Sequence, residues 1–239
     1  MPAAKGDCHQ CRLPGHACIC PLIPPVKSAA CFWLITHDKE FDKPTNTGKL
    51  IRAAISGTRR FNWSRTAPDD ELLALLSDPT WLPVLLFPSE YAVEAQSDKR
   101  QWHYHAVDDR KVAFIIIDAT WQQARKMYRQ SPWLHGLSLL SLQPEDPSIY
   151  RLRRNRQEQH LCTAEVAARA LGELGENTHR QLMEALVQVY CDRYLWARKG
   201  QRRDEDPQSL RILKLYRPDA QQAVSEKTPD KKRVNDGAK

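Results

Sequence analysis

Residues 111–119, KVAFIIIDA, constrain the fold of this chain more than any other segment. The run is apolar and β-branched without alternation, which marks a strand covered on both faces. Such a strand belongs in the middle of a parallel sheet, with helices excluding water on either side. It ends in an acid, Asp118, and the next segment, TWQQARKMYRQ (120–130), has helical character with Thr120 as its N-cap. In open α/β sheets ligands bind beyond the carboxyl ends of the strands. Asp118 is therefore expected at the mouth of a ligand site; plain helix capping is the alternative.

The rest of the chain alternates in the same manner. ACFWLITH (30–37), RRFNWSR (59–65), PVLLFPS (83–89) and LSLLSLQ (137–143) read as strands. GKLIRAAI (48–55), DDELLALLSD (69–78), CTAEVAARALGEL (162–174) and residues 179–199 read as helices. The order predicts an α/β fold with a mainly parallel sheet flanked by helices. Three parts are expected: a knuckle over 1–25, an α/β body over 26–200, and a charged, largely flexible tail over 201–239. Within the tail, LRILKLY (210–216) is the one segment apolar enough to dock.

Four of the seven cysteines, Cys8, Cys11, Cys18 and Cys20, crowd into the knuckle. Clustered thiols in a reducing compartment point to metal rather than disulfides. The spacings Cys-x2-Cys and Cys-x-Cys supply four soft ligands, as a closed, structural Zn²⁺ site requires. His9 and His16 are alternative ligands. So short a segment, poor in core side chains, needs such a staple to order itself.

Lys and Arg number 36 against 29 Asp and Glu, a net charge of +7, which favours a polyanionic partner such as nucleic acid. Three segments could contact RNA. The helix after Asp118 carries Arg125, Lys126 and Arg129; the turn-rich link 43–49 offers Lys43, Asn46, Thr47 and Lys49; the loop 150–154 offers Tyr150, Arg151, Arg153 and Arg154. A solvated charged face is the alternative for each. No apolar run is long enough to span a membrane and the amino terminus has no signal-peptide core, so a cytoplasmic location is expected.

Taken in order, the cysteine knuckle, Pro44-Thr45-Asn46-Thr47-Gly48, Leu86-Phe87-Pro88-Ser89, Asp118-Ala119-Thr120-Trp121 with Ala124-Arg125-Lys126-Met127, Ser131-Pro132, Tyr150-Arg151-Leu152-Arg153 and Thr163-Ala164-Glu165 resemble the DTW-domain family over roughly residues 8 to 170. Each element is weak by itself; the ordered set is specific. Cys162 departs from the Ser that often precedes Thr-Ala-Glu in that family, though the side chain remains small.

The resemblance implies a SPOUT-like α/β core, a type that can carry a trefoil knot. It implies S-adenosylmethionine as donor, tRNA as partner, and transfer of the 3-amino-3-carboxypropyl group to N3 of a uridine in the variable loop, with methylthioadenosine released. It places the catalytic motif on Asp118, Thr120 and Trp121, with Asp118 accepting or orienting the N3 proton. An unperturbed aspartate, with a pKa of about 3.9, is a weak base for that task, so orientation stands beside deprotonation as its role. The donor is expected among Leu86, Phe87, Pro88, Leu140, Leu142, Leu161, Cys162, Thr163 and Glu165. The alternatives are a SPOUT-type methyltransferase using the same donor and a non-catalytic zinc-dependent RNA-binding protein. No helix announces a dimer interface, and a monomer is expected, with a dimer left open.

Overall fold

The computed structural model describes residues 6–92, 102–103, 109–142, 147–153, 160–201 and 205–216. Five strands form one sheet: β1 (Ala30–Thr36), β2 (Arg59–Asn62), β3 (Trp81–Leu86), β4 (Lys111–Asp118) and β5 (Ser138–Leu140). Their order is β2-β1-β4-β3-β5 and every pairing is parallel. The β-branched run sits at the centre as β4, where every residue except Lys111 is buried. β3 begins at Trp81, two residues earlier than expected. Pro83, which has no N–H to give, precedes the stretch of β3 that pairs with β5 from Val84 onward.

Alternation along the strands divides the core into two layers. On one face Phe32, Leu34, Phe114 and Ile116 pack in a single apolar cluster with α2 (Gly48–Ala54), α5 (Thr163–Glu173) and α6 (Asn177–Lys199). On the other, Trp33, Ile35, Ala113, Ile115 and Ile117 meet Ala124, Met127 and Tyr128 of α4 (Trp121–Arg129), with Leu72 of α3 (Asp70–Ser77). Local chemistry sets the helix ends. Asp69 caps α3 by accepting from Leu72 N at 3.2 Å. Gly200, at φ 63°, closes α6 in the left-handed conformation that glycine adopts without a Cβ penalty. A short helix, α1 (Asp38–Phe41), follows β1 where no element was expected.

The knuckle is built into the main core. Leu13, Ala17 and Ile19 are fully buried in the α5/α6 cluster. Arg193 of α6 donates to the Cys18 carbonyl at 2.6 Å, and Arg198 pairs with Asp7. At the other end of the chain α7 (Pro207–Leu215) docks on α6 and buries Leu213. Its N-cap Asp206 accepts from Ser209 N at 2.7 Å. Most of the segment expected to be a flexible tail, 217–239, lies outside the described residues. Among those described, no helix is long and apolar enough to cross a membrane.

Candidate active site at the carboxyl edge of the sheet

Asp118 ends β4 in register with Thr36 of β1. Its side chain falls on the face covered by α2 and α5, by the same alternation that puts Phe114 and Ile116 there. Three donors meet the carboxylate: Asn46 Nδ2 at 2.8 Å and Thr36 Oγ1 at 3.3 Å on Oδ2, and Thr163 Oγ1 at 2.7 Å on Oδ1. Asn46 also accepts from Gly48 N at 2.8 Å, which holds the turn that launches α2. Thr47, itself buried, accepts from Ala164 N at 3.1 Å and so satisfies an unpaired N–H in the first turn of α5.

Glu165 completes the junction from the α5 side. It accepts from Cys162 N at 2.7 Å, from Ser148 Oγ at 2.8 Å and from Ile149 N at 2.7 Å, tying the loop before Arg151 to the helix start. Tyr150 donates to the Thr45 carbonyl at 2.7 Å, and Tyr190 and Lys49 both donate to the neighbouring carbonyl of Pro44. The Lys49 ammonium also lies 4.8 Å from the centre of the Tyr190 ring. Four motif segments that are remote in sequence therefore close on one point.

The electrostatics follow from burial. Asp118 is 1% exposed, and loss of solvent raises its pKa; the hydrogen bonds from Asn46, Thr163 and Thr36 and the charge of Arg60 offset this only in part. Burial pulls Lys49 down to about 7. Burial, with the nearby Glu165 charge, pushes the Cys162 thiol well up, which makes it an inert packing group.

This arrangement corrects several expectations. Asp118 does not stand open at the mouth of a cleft: its carboxylate is enclosed because β1, the 46–48 turn and α5 converge on it. Asn46, Thr47, Lys49 and Tyr150 were expected to reach RNA, but their polar groups are spent inside the protein. Arg151 pairs with Asp192, Arg153 donates to the Leu161 carbonyl at 2.8 Å, and Lys43 pairs with Glu40. Arg154 lies outside the described residues. Thr36, Gly48 and Tyr190 belong to the junction without having been singled out as site residues. Only the parallel register reveals that Thr36 lies beside Asp118.

The basic side chains of α4 sit on the opposite face of the sheet from the Asp118 carboxylate. Arg125, Lys126 and Arg129 are exposed there. Thr120 opens the helix, its N and Oγ1 donating to Gln123 Oε1 at 3.0 and 2.6 Å. Trp121 lies among Phe87, Tyr91 and His160, with ring centres 5.0–5.7 Å away, and Arg125 stacks 4.5 Å over Tyr91. The residues expected to hold the donor divide between the two layers. Leu86, Leu140 and Cys162 are buried in the α5/α6 cluster, with Leu142 packed against it, while Phe87 belongs to the α4 layer. Pro88 and Leu161 are half-buried, and Thr163 and Glu165 are engaged as described above.

In the knuckle the four Sγ atoms of Cys8, Cys11, Cys18 and Cys20 lie within 4.8 Å of one another. Cys8–Cys20 and Cys11–Cys18 are 3.6 and 3.7 Å apart. A tetrahedron with Zn–S bonds of about 2.3 Å needs sulfur separations of about 3.8 Å, so the cluster can hold such an ion. Burial opposes ionisation of Cys8, but the backbone N–H groups of Cys11 and Gln10 outweigh it and hold the thiol at about 7. Arg12, at φ 60°, takes the left-handed conformation that turns the chain after the first ligand pair.

The DTW-domain model matches residues 5–195. The chain belongs to the DTW-domain family. This DTW protein is 28% identical over 196 residues to a Drosophila melanogaster protein named tRNA-uridine aminocarboxypropyltransferase 2, covering 78% of this chain and 72% of the relative. Proteins of the same name from Macaca fascicularis and Mus musculus are 27% and 26% identical, covering 74% and 72% of this chain. The match spans 59% and 58% of those two relatives. No solved structure matches this DTW domain.

Proposed function

We propose that this DTW-domain protein is a tRNA-modifying enzyme that moves the 3-amino-3-carboxypropyl group of S-adenosylmethionine to N3 of a uridine in the tRNA variable loop. The observation that carries the reading is the convergence of Thr36, Asn46, Asp118 and Thr163, from four separate segments, at the carboxyl edge of β1 and β4. The names of the relatives support it, as does an exposed basic row on α4.

In the proposed reaction N3 loses its proton to solvent and forms a bond to the γ-carbon of the donor's methionine chain. The bond from that carbon to the sulfonium breaks, its electron pair returns to sulfur, and neutral methylthioadenosine leaves. The positive sulfur is already a good leaving group, so the protein's main task is to present the γ-carbon and shield the methyl. Asp118 serves this task as a positioning residue. Its carboxylate is committed to three internal donors, and it holds β1, the start of α2 and the start of α5 at fixed spacing. Thr163 and Glu165 set the α5 end of the donor site, beside the apolar Leu86, Leu140, Leu142, Leu161 and Cys162. Pro88, Phe87, Thr120 and Trp121 border it at the start of α4. Arg125, Lys126 and Arg129 seat the RNA.

In the same reading Cys8, Cys11, Cys18 and Cys20 hold a structural Zn²⁺ that cross-links the knuckle. The fold is SPOUT-like, on the strength of the sequence resemblance and the all-parallel sheet. The protein works in the cytoplasm, where its donor and tRNA are found together.

The test is incubation of the purified protein with unmodified tRNA and donor, followed by mass analysis of nucleosides and by-products. A uridine carrying one aminocarboxypropyl group, with equimolar methylthioadenosine, is expected. S-adenosylhomocysteine would instead identify a methyltransferase, and unchanged RNA would leave only an RNA-binding protein.

A further inference from the structure

Beyond the ends of β1 and β2, on the α4 face, lies a cavity of about 230 Å³ lined by His37, Trp63, Arg65, Gln123, Lys126 and Gln130, with the buried Met127 behind them. It is separate from the Asp118 junction, which occupies the other face of the sheet. Its volume is below the roughly 300–1,000 Å³ of a pocket for a whole small molecule, so it suits a single ring system.

The chemistry of the lining is specific. His37 and Trp63 stack, ring centres 5.9 Å apart and planes 23° apart. Both rings are anchored: Trp63 Nε1 donates to Ser131 Oγ at 3.0 Å, and His37 Nδ1 accepts from Lys39 N at 3.2 Å. With Nδ1 an acceptor, neutral His37 carries its proton on Nε2. Among the described residues neither Arg65 nor Lys126 is in an ion pair. Gln130 Oε1 is buried with no hydrogen-bond partner. A buried acceptor left unmet is costly, and a turn of this half-buried side chain into the cavity would let the oxygen meet an N–H donor brought by a ligand.

A fixed aromatic platform, cations and one waiting acceptor match a nucleic-acid base with its phosphate. We infer that this cavity holds one uracil-type base of the RNA substrate, its imide N–H directed to Gln130 Oε1 and its phosphate met by Arg65 and Lys126. The inference rests on the proposed tRNA substrate and makes the cavity a recognition site for sequence. Uracil presents N–H between two carbonyls. Cytosine presents an acceptor at that ring nitrogen and would oppose Gln130.

The test follows the Trp63 indole N–H by NMR as the full-length protein is titrated with 5′-UMP, 5′-CMP and inorganic phosphate. Lys126 also belongs to the basic row of α4, so Arg65→Gln, at an exposed residue that lines only the cavity, is measured beside Lys126→Gln and reads the site even if Gln130→Leu folds poorly. UMP is expected to shift the Trp63 signal, CMP to need roughly tenfold more, and each variant to raise KM for tRNA roughly tenfold. Equal response to UMP and CMP, or a response to phosphate as strong as to UMP, overturns uracil recognition. No Trp63 response to UMP, with KM unchanged in all three variants, overturns the site altogether. A wild-type protein that binds UMP here yet leaves tRNA unmodified supports the pocket and rejects the transfer reaction.

Discussion

Gly48 lies so close to Asp118 that a Cβ at position 48 would stand 2.8 Å from Asp118 Oδ2. The first residue of α2 thus abuts the last residue of β4. The room a side chain would take is filled by the carboxylate, by Asn46 and by Leu34, both 3.2 Å from the same point. Glycine is used here for lack of volume, not for backbone freedom, since its φ is unexceptional.

Gly48→Ala is therefore expected to destabilise the protein. Alanine gains about 0.5–1 kcal/mol of helix propensity, but overpacking a closed junction costs about 1–3 kcal/mol. A net loss of about 1–2 kcal/mol should appear as a lowered urea midpoint with unchanged slope. Transfer to tRNA should fall further than stability does, because the same contact displaces Asp118.

Asp118→Asn and Asp118→Ala should separate. Asparagine can keep its carbonyl oxygen toward Asn46 and Thr36 while the Thr163 hydroxyl rotates to accept from its amide. Alanine leaves three donors unmet, at about 1–3 kcal/mol for each buried group. Stability should drop sharply for Ala and little for Asn, read by denaturant unfolding. Retention of full turnover by Asp118→Ala would remove this residue from the proposed site.

The same residue sets a pH dependence. Burial raises the Asp118 pKa in the folded state, so between the unfolded value near 3.9 and the raised folded value the native protein binds more protons than the unfolded chain. Its contribution to stability is fully present below about pH 3.9 and is lost as pH rises through the folded pKa. Asp118→Asn should abolish that decline, so the wild-type-minus-variant difference in unfolding free energy should fall as pH rises across this window. A flat difference would show that the carboxyl titrates alike in both states.

Glu165→Gln tests the other half of the junction. The amide keeps one acceptor for three donors, Cys162 N, Ser148 Oγ and Ile149 N. Its NH2 group faces a backbone N–H that cannot reverse. A loss of about 1–3 kcal/mol is expected. Faster hydrogen exchange at Ile149 and Cys162 should accompany it, ahead of the rest of α5.

Metal removal should be felt across the α5/α6 layer, because Leu13, Ala17 and Ile19 belong to its core. A strong chelator, or Cys11→Ser, is expected to lower the melting temperature and to change the fluorescence of Trp196, whose ring meets His16 edge-on at 5.2 Å. The purified protein should carry one zinc per chain by elemental analysis. Melting unaffected by chelation, with no zinc found, would show that hydrophobic packing alone orders the knuckle.

Much of this protein was legible in its sequence because the signals are local. The unbroken apolar run of β4 demanded cover on both faces, the strand–helix alternation demanded parallel pairing, and the spacing of Cys8, Cys11, Cys18 and Cys20 pointed to four thiols gathered at one place. Side-chain partnership was not legible, because it depends on register and on which face each residue takes. Asn46, Thr47, Lys49 and Tyr150 read as polar residues free to meet RNA. In the fold the α2 and α5 termini need partners for their backbone groups, and Asp118 has lost its solvent, so those side chains turn inward. The sequence by itself determined the layers and the cysteine cluster that could hold a metal, through periodicity and spacing. Only the tertiary structure decided that Asp118 and the basic face of α4 lie on opposite sides of one sheet, because successive residues of a strand alternate faces and Asp118 points away from the helix that follows it.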